Sequence, residues 1–112
     1  MTLPHPLPQD LAELIARRFR ALGEPMRVRA EIASLDELSV SELTEQLGAS
    51  QQNASKHLVL LVDAGMLARR KDGNRVYYRI ADEGVFALCE QVCGSLQAQL
   101  AALADLVGTT TR

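Results

Sequence analysis

Gln51, Gln52, Ser55 and Lys56 bring together side chains suited to reading the edges of bases, and Arg69, Arg70, Lys71 and Arg75 follow a short distance on. Glutamine can hydrogen-bond adenine, serine can meet a base or a phosphate, and lysine can meet guanine or a phosphate. Asn53, His57 and the four cations of the second group are suited to positioning a protein on a phosphate backbone, and packing is the other role open to His57. A different chemistry is available at Cys89 and Cys93. Four residues apart on a helix, they share a face, and paired thiols can hold As(III), Cd(II) or another thiophilic ion, or oxidise to disulfides. The competing role for them is packing, because cysteine is a small apolar residue and a buried thiol reacts poorly. No Ser-His-Asp or Cys-His set, no glycine-rich phosphate loop and no pair of cysteine pairs stands in the chain. The sequence therefore does not read as an enzyme, and no cofactor is required.

These residues need elements to position them. Pro4, Pro6 and Pro8 make 1–9 a flexible arm, in which His5 reads as solvated. Asp10 with Glu13 fits a capping box opening a first helix with Leu11, Leu14, Ile15, Phe19 and Leu22 at helical spacing. Gly23 stops it, and Pro25 suits the first turn of a second helix with Val28, Ile32 and Leu35 on one apolar face. After a short link at Asp36-Glu37-Leu38, Ser39 with Glu42 is a second capping box. It opens a third helix, ended by Gly48 in the left-handed position glycine favours. Ser50 can cap a fourth helix with Ala54, Leu58, Leu61 and Val62 inward and Gln51, Gln52, Ser55, Lys56 and Val59 outward. Leu67–Lys71 and Arg75–Ile80 alternate as strands about Asp72-Gly73-Asn74, a hairpin signal. The expected fold is α+β, mainly α: a winged helix-turn-helix of five helices and a two-stranded wing over 10–107, with 108–112 a frayed tail. A helix-turn-helix lays its second helix in the DNA major groove.

The net charge of −2 conceals a local surplus. Residues 51–80 carry six basic side chains against two acidic ones, while the flanking segments are each acidic. Local charge sets phosphate contacts. With 112 residues, one domain is expected. No apolar run is long enough for a membrane span, and the start does not resemble a signal peptide. The chain is therefore read as cytoplasmic, with reduced thiols.

Asp82 can cap a long final helix, where Phe86, Cys89, Cys93, Leu96, Leu100, Leu103 and Val107 alternate at spacings of three and four, an a/d heptad pattern. With four other helices already supplying a core, this stripe reads as a homodimer seam, joined by Leu11 and Leu14 of the first helix. Two-fold symmetry would set two fourth helices in successive major grooves, roughly 34 Å apart, on an inverted repeat. The competing reading is a dimeric winged-helix scaffold without specific DNA binding. Such a scaffold would be expected to carry acidic or apolar residues where the fourth helix has Gln51, Gln52, Ser55 and Lys56.

Several ordered words resemble the ArsR/SmtB family of winged helix-turn-helix repressors. They are Leu22-Gly23-Glu24-Pro25-Met26-Arg27-Val28-Arg29, Leu38-Ser39-Val40-Ser41-Glu42-Leu43, Ser50 through Leu58, Leu61-Val62-Asp63-Ala64-Gly65-Met66-Leu67 and Gly73 through Ile80. The resemblance spans Phe19 to Leu103 and implies a homodimeric repressor that leaves its double-stranded operator when an inducer arrives. Many members sense metal or metalloid ions. One family site begins the third helix with Cys-Val-Cys. Here Ser39-Val40-Ser41 stands in its place, and hydroxyls do not replace thiolates for a soft ion. Another uses Asp and His on the last helix. Here Asp82 keeps the first position, but Gly84 stands where the His is expected. Cys89 and Cys93 remain the candidate sensor.

Overall fold

In the computed structural model the backbone is described over residues 2–111 and side chains over 2–107. Its elements run α1 (Gln9–Leu22), α2 (Pro25–Ala33), β1 (Leu38–Ser39), α3 (Val40–Leu47), α4 (Gln51–Asp63), β2 (Leu67–Asp72), β3 (Arg75–Ile80) and α5 (Glu83–Thr111). They fall into two compact units, one ending at Asp82 and one beginning at Glu83. The frayed tail expected over 108–112 lies outside the residues described with their side chains.

In the first unit, α2, α3 and α4 pack together over a core of Ala30, Leu43, Leu47, Ala54, Leu58, Leu61, Met66, Leu67 and Tyr78, all buried. The local signals that start α3 and α4 act as expected. Ser39 Oγ accepts from the Glu42 amide and the Glu42 carboxylate accepts from the Ser39 amide. Ser50 Oγ accepts from the Asn53 amide. Gly48 closes α3 at φ 63°.

Three expectations are corrected. Helix α1 begins at Gln9, not Asp10, and its start has no side-chain cap. The Pro8 carbonyl already accepts the first helical bond from Ala12, and Glu13 accepts from Gln9 Nε2 instead of capping. Helix α2 and its C-cap bury Ala30, Glu31 and Ser34, whereas Ile32 and, just beyond the helix, Leu35 are exposed. Ala30 and Ser34 are small enough for close approach to α3 and α4, and Glu31 is the one large side chain buried with them. The wing is not a bare hairpin: β1 adds a third, antiparallel strand in the order β1-β3-β2. It pairs Leu38 with Tyr78 and Ser39 with Tyr77, so the root of the wing is hydrogen-bonded to the start of α3.

The second unit is one long helix, α5. Leu96, Leu100, Leu103 and Val107 are all exposed along it, with Leu103 58% accessible in the single chain. Among the described residues, no helix is long and apolar enough to cross a membrane.

Candidate nucleic-acid interface

The turn between α3 and α4 is fixed from several sides. Arg29 of α2 donates from Nη2 to the Gln46 carbonyl at 3.1 Å and from Nη1 to the Leu47 carbonyl at 3.3 Å. These belong to the last turn of α3, whose carbonyls have no partner inside the helix. Gly48 then turns the chain and Ser50 caps α4. With Ala54, Leu58 and Leu61 buried, α4 turns its other side outward. Gln51, Gln52, Asn53, Lys56 and Val59 are exposed, and Ser55 is half-buried. Gln52, Ser55, Lys56 and Val59 follow helical spacing, which puts them on one side.

Of the two roles open to His57, packing and a phosphate hydrogen bond, its surroundings favour packing. Its side chain is only 15% exposed. Nδ1 lies 3.3 Å from Arg27 Nη1 and 3.9 Å from the Glu24 carboxylate. Arg27 is itself anchored to the Ala21 carbonyl. His57 thus packs α4 against the start of α2 rather than reaching outward to a backbone.

The wing separates its cations. Side chains alternate across a strand, and β2 pairs with β3 in the register Arg69–Tyr78, Arg70–Tyr77, Lys71–Val76 and Asp72–Arg75. Arg70 and Arg75 therefore share a face with Tyr77, while Arg69 and Lys71 lie on the other. Arg69, Lys71 and Arg75 are exposed. Arg70 is exposed but engaged. Nε and Nη2 donate to the two oxygens of Glu37 at 3.2 and 2.8 Å, and the guanidinium stacks 4.6 Å from the centre of the Tyr77 ring. This fork holds the Glu37 carboxyl below its usual range. Arg70 ties β2 to Tyr77 of β3 and to Glu37, the residue before β1, so the structure gives it a partner other than the expected phosphate.

Between the start of α3, the start of α4 and the wing lies a cleft of about 410 Å³, lined by Ser39, Ser41, Glu42, Gln51, Asn74 and Arg75 among others. Hydrogen bonds from Ser39, backbone first, hold the Glu42 carboxyl below its ordinary range, and the nearby Arg75 charge acts in the same direction.

On α5, Cys89 is half-buried and Cys93 is exposed. Phe86 is half-buried. Among the described residues, no group of three or more His, Cys, Asp or Glu side chains could hold a metal ion within one chain. Of the expected seam residues on α1, Leu14 is exposed and Leu11 half-buried.

Sequence reasoning did not find Glu31, Arg29 or Glu37. For Arg29 and Glu37 only contacts distant in sequence reveal the role. For Glu31 no local signal marks a buried carboxylate.

A helix pair with an outward polar second helix and a three-stranded basic wing defines a winged helix-turn-helix domain. A family model described as a helix-turn-helix domain matches residues 19–70. The chain is 39% identical over 83 residues to the HTH-type transcriptional regulator KmtR of Mycobacterium tuberculosis, covering 73% of this chain and 64% of that protein. It thus spans less than two thirds of that relative. It is 43% identical over 89 residues to the arsenic resistance transcriptional regulator ArsR2 of Pseudomonas putida, covering 78% and 77%. Among solved structures, it is similar to a homodimeric winged helix-turn-helix DNA-binding domain from Mycobacterium bovis. The TM-score is 0.74 and the identity 29%, over 81% of this chain and 85% of that one. The chain belongs to the ArsR/SmtB family of winged helix-turn-helix transcriptional regulators.

Proposed function

We propose that this chain is a homodimeric repressor that binds an inverted-repeat operator in double-stranded DNA and is released by an inducer. The observation that carries the reading is the outward side of α4, where Gln52, Ser55 and Lys56 face away from the core beside a basic wing. In this reading Gln51, Gln52, Ser55 and Lys56 read bases, while Asn53, Arg69, Lys71 and Arg75 hold phosphates. The cleft between α3 and the wing takes the backbone alongside Arg75. The exposed Leu96, Leu100 and Leu103 stripe, with Phe86, Leu11 and Leu14, forms the seam between copies. Relatives that regulate transcription and the homodimeric M. bovis domain support this reading.

The inducer reading rests on Cys89 and Cys93. One chain offers two thiols. A dyad through the α5 stripe would bring two more, enough for a thiophilic metal or metalloid ion or for oxidation. The relative named for arsenic resistance favours such a signal.

The test is fluorescence anisotropy of the reduced protein on a labelled fragment of its own upstream region, before and after arsenite, cadmium or peroxide. Release by one agent that is lost in a Cys89→Ser/Cys93→Ser double variant assigns sensing to the thiols. Tight binding that no agent disturbs assigns them to packing. No preference for that fragment over unrelated DNA refutes the repressor reading and favours a dimeric scaffold.

A further inference from the structure

Glu31 sits on α2 with 0% of its surface accessible. Neither carboxyl oxygen has a hydrogen-bond partner. An ionised carboxylate buried without a partner is strongly disfavoured and takes up a proton instead. The surroundings offer no compensation. Helices α3 and α4 bury Leu43, Leu47, Ala54, Leu58 and Leu61, and His57 is occupied with Arg27 and Glu24. On α2 itself, Arg29 is drawn away to the end of α3. From α1 the partly buried cation is Arg18. It donates to Asp82 at 2.6 Å from Nη1 and to the Ala64 carbonyl at 3.0 Å from Nε. Asp82 is the charge that acts on Glu31, and it has the same sign.

We propose that Glu31 is a proton-operated latch: uncharged, it lets α2 pack and leaves Arg18 on Asp82, and on losing its proton it pulls that tie apart. A charge appearing at Glu31 repels the Asp82 carboxylate that Arg18 holds. Arg18 also holds the C-terminal end of α4 through Ala64, so the loss loosens α1 from the helix pair. Burial first, and then the Asp82 charge, push the Glu31 carboxyl up to about 7 from an ordinary value of 4.5, so the latch works near neutrality.

The sign follows from linkage. The folded chain keeps a proton that the unfolded chain gives up in the ordinary carboxylate range. Stability is greatest below that range, falls as pH rises through about 7 and levels off above it. The experiment uses the full chain without DNA, so its result is independent of the repressor reading. The Glu31 side-chain carboxyl carbon, identified by its absence in Glu31→Gln, is titrated by NMR. Melting points are taken from pH 5 to 8.5. Amide exchange in α1 is compared between the two proteins at pH 5.5 and 8.

A Glu31 midpoint near 7 is expected. So is a wild-type melting point that falls on the order of 10 °C more than that of Glu31→Gln, and α1 exchange faster in wild type at pH 8 only. A midpoint in the ordinary carboxylate range overturns the proposal. So does a midpoint near 7 with α1 exchange that does not differ between the two proteins at pH 8. If Glu31→Gln does not fold, Asp82→Asn decides. Losing that like charge must lower the Glu31 midpoint, and an unmoved midpoint overturns the latch.

Discussion

The Arg18 guanidinium occupies the space a β-carbon on Gly65 would need: such an atom would stand 2.9 Å from Nη2. Gly65 also adopts φ 79°, a region L-residues pay about 1–2 kcal/mol to enter. Gly65→Ala is thus expected to displace Arg18 from Ala64 and Asp82 as well as strain the backbone. Urea denaturation should show a loss of about 2 kcal/mol. A loss indistinguishable from zero would mean that Arg18 moves aside freely and is not a tie.

Gln52 is exposed near the start of α4. Gln52→Ala is expected to weaken binding to the upstream fragment by about 1–3 kcal/mol while sparing unrelated DNA. Equal losses on both DNAs, measured by anisotropy at one salt concentration, would remove Gln52 from base reading.

Arg70 and Arg75 share a face of the wing but differ in their partners. Arg75→Ala is expected to weaken binding to every DNA and to reduce the slope of log K against log salt by about one. Arg70→Ala is expected to weaken binding with the slope kept, because its charge is answered by Glu37 and its task is to fasten the wing. A slope reduced equally by both variants would return Arg70 to the phosphates.

Leu100 and Leu103 stand exposed on the α5 stripe. Leu100→Glu/Leu103→Glu is expected to place four carboxylates in a two-fold seam and give a monomer in sedimentation velocity, with the helical circular dichroism of the first unit retained. A dimer that survives both charges would move the seam elsewhere.

What was legible in the sequence is what is decided locally. Both serine caps, the left-handed Gly48, the two-strand alternation and the inward face of α4 depend on residues within a turn or two of one another, and each was found where expected. Strand β1 escaped because two residues carry no alternation; its existence depends on Tyr77 and Tyr78, far along the chain. Residue type misled at α2, where Ile32 and Leu35 suggested the core face and Ala30, Glu31 and Ser34 occupy it. His57 and Arg70 were assigned by chemistry that suits a phosphate equally well. Their partners, Arg27 and Glu37, lie 30 and 33 residues away and follow no spacing rule.

The Arg29 clamp on Gln46 and Leu47 bears on how portable the helix pair is. The end of α3 is closed by a side chain from outside the pair, and β1 binds its beginning to the wing. Residues 40–63 excised alone would lose both closures and the Ser39 cap, and keep only the cap at Ser50. Grafting this reading head onto another scaffold therefore requires α2 and the wing to travel with it, and the smallest transferable piece is the whole stretch from Pro25 to Ile80.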